Sequence, residues 1–193
     1  AIFFAFVFVA GVMLFKSNMY QWQLQSVRHR FGSWIIMLYD SNLEENSELK
    51  NHPYLNESGK AAVDNYMYDT KKQQDVSSVK LGYMSDEFIS IGNISLREGS
   101  MPQEDDEAAI EWDTLIKLNQ GTTIGQDIVI NIRKSNSPYS DVIEKTYKLT
   151  GILNNYTNVW TGGNNVPGII LKEDEADSIN RIGKATYIYL SNN

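Results

Sequence analysis

The residues able to do chemistry in this chain are few, and their spacing does not gather them. Histidine occurs only as His29 and His52. His29 falls in a long helical stretch and His52 just before Pro53, so spacing sets up no imidazole pair for a metal or a nucleophile. Cysteine is absent, which removes disulfides, thiolate metal ligands, iron–sulfur clusters and a thiol nucleophile together. Carboxylates cluster twice. The run Glu104–Glu107 lacks the alternating acids and the glycine of a calcium loop and reads as a solvated loop. Glu173, Asp174 and Glu175 stand where a helix begins and suit the positive end of its dipole. There is no Gly-x-x-x-x-Gly-Lys-Ser/Thr phosphate loop, no Gly-x-Gly-x-x-Gly turn and no Gly-x-Ser-x-Gly elbow. Asn56, Asn93 and Asn155 each begin an Asn-x-Ser/Thr triplet, a pattern common by chance. The chain is therefore expected to have no catalytic residue, no cofactor and no metal, and not to be an enzyme. A net charge of −7 over 193 residues disfavours nucleic acid, whose phosphates it would repel.

What remains is recognition, and two groups of side chains suit it. Tyr156 and Trp160 lie in Asn154–Asn165, a stretch rich in Asn, Gly and aromatics that reads as a long irregular loop. Each is a cap on the core or a contact for a partner, and both roles stay open here. Trp112, beside an apolar strand, reads as core. The second group is a stripe. Tyr20, Leu24, Val27 and Phe31 recur at helical spacing, while Gln21, Gln23, Gln25 and Arg28 fill other faces. An apolar stripe on a projecting helix needs a partner surface, either the domain's own strands or a helix outside this chain.

The stripe continues a more apolar segment. Ala1–Phe15 carries no charge, and Lys16 is the first. A bilayer span takes roughly 20 apolar residues, so the run is a few residues short. It reads as the outer part of a transmembrane helix, a signal-peptide core or a buried core helix. The second lacks a basic leader and a small-x-small cleavage site. The third is disfavoured by Phe and Val on all sides. The expected organisation is residues 1–31 as the C-terminal part of a transmembrane helix and stalk, ended by Gly32 and Ser33, with residues 32–193 as an extracytoplasmic core domain. Lys16, Arg28 and Arg30 favour the cytoplasmic side, but large domains cross largely regardless of flanking charge.

Beyond Trp34 the pattern shifts to short strands and short helices. Trp34–Tyr39 reads as a buried strand. Asn42 caps a helix to about Asn51. Ala61–Asp69 and Val76–Met84 read as strands around the polar stretch Thr70–Asp75, and Asp86–Ile91 as a helical turn. Glu107–Trp112 is a strand followed by a helix at Thr114–Leu118. Gln126–Ile132, alternating Ile128, Ile130 and Ile132, pairs with Lys145–Leu153 across a loop at Asn136–Asp141. Val166–Leu171, Glu173–Asn180 and Ala185–Leu190 form a strand–helix–strand unit. The class is α+β, with mixed and antiparallel sheets, short helices and two small lobes on a long N-terminal transmembrane or stalk helix.

One region goes further than patterning. Leu96-Arg97-Glu98-Gly99-Ser100-Met101-Pro102 is followed by Glu107–Trp112, by Leu115 and Leu118, by Ile124-Gly125-Gln126-Asp127-Ile128 and by Tyr147–Ile152. In order and spacing this resembles the extracytoplasmic, MacB-like core domain of FtsX/MacB-family ABC transporter permeases of Gram-positive type. Gly82, Tyr83 and Phe88 fit the stretch ahead of the turn, and Asn155–Trp160 fits the stretch after the last strand. Ser100 stands where the family often has arginine, and Gln126 is inserted beside the glycine–aspartate turn. Gly99 and Gly125 suit turns that need backbone freedom, Pro102 stiffens the first turn, and Gly151 permits close approach. The resemblance implies a non-catalytic domain at the cell membrane. It would couple ATP-driven movement of membrane helices to an external substrate or partner. The implied partners are the membrane, the rest of the permease, a separate ATP-binding subunit, and outside the membrane a protein, peptide or lipid. The alternative is a ligand-binding or sensor ectodomain of another bacterial membrane protein.

Overall fold

Period-two alternation accounts for the strand at Asp127–Arg133, where Ile128, Ile130 and Ile132 are buried and Val129, Asn131 and Arg133 only half-buried, because successive strand side chains point to opposite faces. The computed structural model describes residues 2–40, 53, 58–134, 141–158, 166–180 and 186–191, and in the first helix it describes side chains from Gly11 to Arg30. The expected helix at Asn42–Asn51, with His52, Asn56 and Trp160, lies outside the described residues, as do residues 136–140 and 159–165 of the two expected loops.

The elements run α1 (Ile2–Phe31), β1 (Ile36–Asp40), β2 (Ser58–Asp69), β3 (Gln74–Met84), α2 (Asp86–Ile91), β4 (Leu96–Gly99), β5 (Glu107–Glu111), α3 (Trp112–Leu118), β6 (Asp127–Arg133), β7 (Val142–Leu153), β8 (Ile169–Ile170), α4 (Glu173–Ser178) and β9 (Thr186–Ser191). The class is α+β, as expected, with a mixed sheet and short helices. Several boundaries differ from the sequence reading, with β7 starting at Val142 and β8 covering only Ile169–Ile170. Leu96–Gly99, expected as a turn, is a short strand paired antiparallel with β7. Trp112 opens α3 instead of ending β5. The first strand begins at Ile36 and is only half-buried, because among the described residues it pairs with β9 alone and forms the edge of the sheet.

The strand order is β1-β9-β2-β3-β8-β5-β7-β4, and β6 joins both β7 and β2. The ladder therefore closes: β2, β3, β8, β5, β7 and β6 form a ring, sealed where Met67 faces Ile132. The pairs β3–β8 and β5–β7 are parallel and the other ring pairs antiparallel, so strand direction stays consistent around the circuit. Where the sequence reading expected two small lobes, the described strands form one sheet with a core on each face. Leu81, Ile110, Ile128, Ile130, Tyr147 and Leu149 belong to the first, with Leu115 of α3 and Ala176 of α4. Ala61, Met84, Phe88, Ala109, Ile170 and Ile188 belong to the second, under α2. Adjacent residues such as Ala109 and Ile110 fall in different cores, as a pleated strand buried on both faces requires.

α1 meets the domain at Gly32, whose φ is +93° and whose missing Cβ would lie 2.3 Å from the Ile91 carbonyl oxygen. Only glycine fits both demands. The Gly32 N–H closes the helix on the Arg28 carbonyl at 2.9 Å, the Ser33 N–H reaches the Ile91 carbonyl at 2.8 Å, and the Asn93 amide donates to the His29 carbonyl. Among the described residues no helix is long and apolar enough to cross a membrane.

Candidate functional site

The stripe residues of α1 are placed away from both cores. Tyr20 is 58% exposed and Val27 53%, Leu24 is half-buried, and the Phe31 side chain is outside the described set. Nearer the N-terminus Val12, Met13, Leu14 and Phe15 are each at least half exposed, up to 70% for Phe15. Successive helical residues turn by about 100°, so these four look out on all sides.

Family-like residues of the middle region come together around β7. Gly99 has φ +80° and Gly125 φ +88°, the left-handed backbone their turns require. The Ser100 N–H donates to the Thr150 carbonyl at 2.8 Å, and a Cβ on Gly151 would lie 2.3 Å from the Ser100 carbonyl. Gln126 staples its turn: its amide group donates to the Gln120 carbonyl at 3.2 Å and accepts from the Thr123 N–H at 3.2 Å. Arg97 lays its guanidinium 4.1 Å from the Trp112 ring centre, so Trp112, expected as core, is a half-buried ring that packs on the core beneath that cation. The acidic run forms a turn, with Glu107 accepting from the Gln103 and Glu104 N–H groups at 2.8 and 3.2 Å.

The turn at Met101–Gln103 also forms one wall of a cleft of about 500 Å³. Its other walls are Tyr83–Glu87, at the end of β3 and start of α2, and Ile170–Asp174, at the end of β8 and start of α4. Ser85 caps α2, accepting from the Phe88 N–H at 3.2 Å. Lys172 pairs with Asp105 at 3.0 Å and Lys60 with Glu173 at 3.4 Å. Burial first, then Glu173, then Glu87 and Asp86, push the Tyr83 hydroxyl up, against an opposing pull from Lys60. Among the described residues no three His, Asp or Glu side chains gather as a metal would need.

Two buried carboxylates whose inward role sequence reasoning did not foresee organise the surroundings. Glu111 has no exposed surface. Its Oε1 accepts from the Tyr156 and Thr157 N–H groups at 2.7 and 2.8 Å, and Thr157 Oγ1 and Thr114 Oγ1 donate to its Oε2 at 2.7 and 3.2 Å. It ties the start of the Asn-rich loop to the end of β5. Asn155 accepts from the Asp113 N–H at 3.0 Å at the start of α3. Tyr156 is buried, donates its hydroxyl to the Pro167 carbonyl, and is held protonated by burial and by Glu111. Of its two open roles, that of core cap fits this placement. Glu175, expected only to serve a helix dipole, is buried and accepts from the Tyr147 hydroxyl at 2.7 Å, Lys145 Nζ at 3.0 Å and Ser178 Oγ at 2.9 Å. Alternation would turn Glu111 outward beside Glu107, and only Thr114 three residues on hinted at a partner.

No protein-family model matches the chain, and no curated protein matches it. Solved structures do. The extracellular domain of the ABC-type transporter YknZ from Gram-positive bacteria is 9% identical with a TM-score of 0.46, over 77% of this chain and 71% of that one. The periplasmic region of MacB from Actinobacillus actinomycetemcomitans is 9% identical with a TM-score of 0.45, over 77% and 63%. A domain of a permease protein from Porphyromonas gingivalis is 13% identical with a TM-score of 0.41, over 84% and 63%. Likenesses at these identities assign no activity.

Proposed function

We propose that this chain is a non-catalytic extracytoplasmic domain of an ABC transporter permease, held at the cell membrane by α1 and coupling movement of membrane helices to a substrate or partner outside. The observation that carries the reading is α1 itself. It presents large apolar side chains on every side at Val12–Phe15 and is joined to the domain through a backbone geometry at Gly32 that only glycine satisfies. Left in water, each such side chain forfeits roughly 1.5–3 kcal/mol, and no single protein surface covers all sides of a helix. Lipid does. The ordered run from Leu96 to Ile152, with Gly99 and Gly125 in left-handed backbone, supports the permease reading. ATP would be hydrolysed on a separate subunit, and movement would enter the domain as a rigid-body shift through α1.

The test has two arms. The chain should be monodisperse only in detergent, and a version beginning at Gln25, which keeps the Arg28–Ser33 contacts, should be soluble without it. Neither should turn over ATP. A detergent-free monomer of the whole chain with Val12–Phe15 protected from exchange overturns the membrane reading. For the permease reading, the full gene should show three further spans with an ATPase encoded beside it; one span followed by a signalling domain would overturn it in favour of a sensor.

A further inference from the structure

We propose that the cleft between α2, the Met101–Gln103 turn and α4 binds an extended peptide segment carrying lysine or arginine beside an apolar side chain. The inference rests on the cleft alone and does not require the permease reading.

The floor is apolar. Met84, Ile170 and Leu171 are buried beneath it, and Met101 and Pro102 stand half-buried at its side. Two methionines make such a wall adaptable to side chains of different shape. The rim is acidic, with Asp86 and Glu87 from α2 and Glu173 and Asp174 from α4. These acids each favour the first turn of their own helix. That role accounts for their sign but not for carboxylates of two separate elements acting together on the Tyr83 hydroxyl. The rim's cations are engaged, Lys172 by Asp105 and Lys60 by Glu173, while Asp86, Glu87 and Asp174 form no ion pair among the described residues. A cationic side chain entering between these acidic walls is complementary to them in charge.

Ligand classes separate on these grounds. An anion is repelled by the rim. A bare polyamine satisfies the rim but leaves the methionine floor uncovered. A wholly apolar ligand fills the floor but takes water from the carboxylates without replacing it. A peptide with both kinds of side chain meets both, and about 500 Å³ lies within the usual pocket range of roughly 300–1,000 Å³.

The experiment uses the whole chain in detergent and a fluorescent five-residue peptide alternating lysine and leucine. Anisotropy reports binding, and methionine-methyl NMR reports its place. The expected result is saturable binding that shifts the Met84 and Met101 methyls, no binding by the glutamate-for-lysine peptide, and only weak competition by spermine. Glu87→Gln combined with Asp174→Asn should weaken binding at least tenfold. Met101→Ala, which leaves the charge intact, should weaken it severalfold, and it decides the matter if the double variant fails to fold. The proposal is overturned if the peptide does not bind, if only Met13 and Met19 on α1 shift, if the variants bind within twofold of the parent, or if spermine competes as well as the peptide does.

Discussion

Glu111 shows what a single buried charge does in this protein. It forms no ion pair among the described residues, so its charge is solvated entirely by the N–H groups of Tyr156 and Thr157 and by two threonine hydroxyls. Hydrogen bonds to a charged group contribute roughly 1.5–3 kcal/mol. Glu111→Gln puts an amide donor among donors and should cost about 2–4 kcal/mol. Amide exchange at Tyr156 and Thr157 should quicken in step, and unchanged exchange there would refute the staple. Asp64 is the opposite case. It is buried, Asn180 donates to its Oδ1 at 3.0 Å, and its Oδ2 has no hydrogen-bond partner among the described residues. Burial first, then Asp177, raise its pKa from 3.8 to about 6. The folded state therefore holds this proton more tightly than the unfolded chain. The group leaves stability untouched below about pH 3.8 and lowers it as pH rises towards 6, by up to about 3 kcal/mol above that. Asp64→Asn keeps the acceptor for Asn180 without the charge. The stability difference between variant and parent should move in the variant's favour from pH 4 to pH 7 in urea titrations; a constant difference would show that Asp64 does not titrate in this window.

Among the helices, α1 differs from the rest in that its described side chains have almost no share in the cores. Its length and apolar surface are set by local sequence, and its only described anchorage is at the Arg28–Ser33 end. Replacing both Leu24 and Val27 with Asp therefore touches a helix face, one residue of which is half-buried and the other 53% exposed. Unfolding of the isolated chain should shift by no more than about 1 kcal/mol. On the proposed permease reading, with a second membrane helix seated on that face, the same change in the whole transporter should uncouple ATP hydrolysis from transport. Unfolding of the isolated chain by the pair would instead assign the stripe to the core. The short helices depend on their surroundings more than α1 does. α2, α3 and α4 have only six or seven residues each, too few to be stable alone, and each is held by side chains sunk into a core, such as Phe88, Leu115 and Ala176.

At the scale of the molecule the closing contact is the most exacting feature. β6 carries three fully buried isoleucines into the first core and seals the ring at Ile132 opposite Met67. Ile132→Ala leaves a cavity at that seam and should cost about 2–5 kcal/mol. The loss should be accompanied by faster exchange in β2 and β6 ahead of global unfolding. An equal loss with exchange unchanged along the seam would mean that the ring is not held there. Asn65 reinforces the same region, donating to the Arg133 and Ile179 carbonyls at 3.2 and 2.7 Å.

Local chemistry determined several of the elements. Ile128, Ile130 and Ile132 announce a strand by alternation, Asp86–Ile91 is bounded by its own capping serine, and Gly99 and Gly125 sit at turns only glycine enters readily. Each of these depends on neighbours within a few residues, so it is written in the order of side chains. The absence of catalytic motifs and the all-round apolar start of α1 are legible for the same reason. Tertiary structure decided the rest. Apart from Thr114, three residues on, nothing near Glu111 indicates that its carboxylate turns inward, because its backbone donors lie 45 and 46 residues away. Nothing near Tyr83 shows that acids of α2 and α4 meet around one apolar floor, since they are separated by the whole of β4–β8. Ring closure between β2 and β6 likewise depends on a register between residues 65 positions apart, Met67 and Ile132. Alternation along a strand decides which side chains share a face, but only the packed fold decides which strand, and which charge, stands opposite.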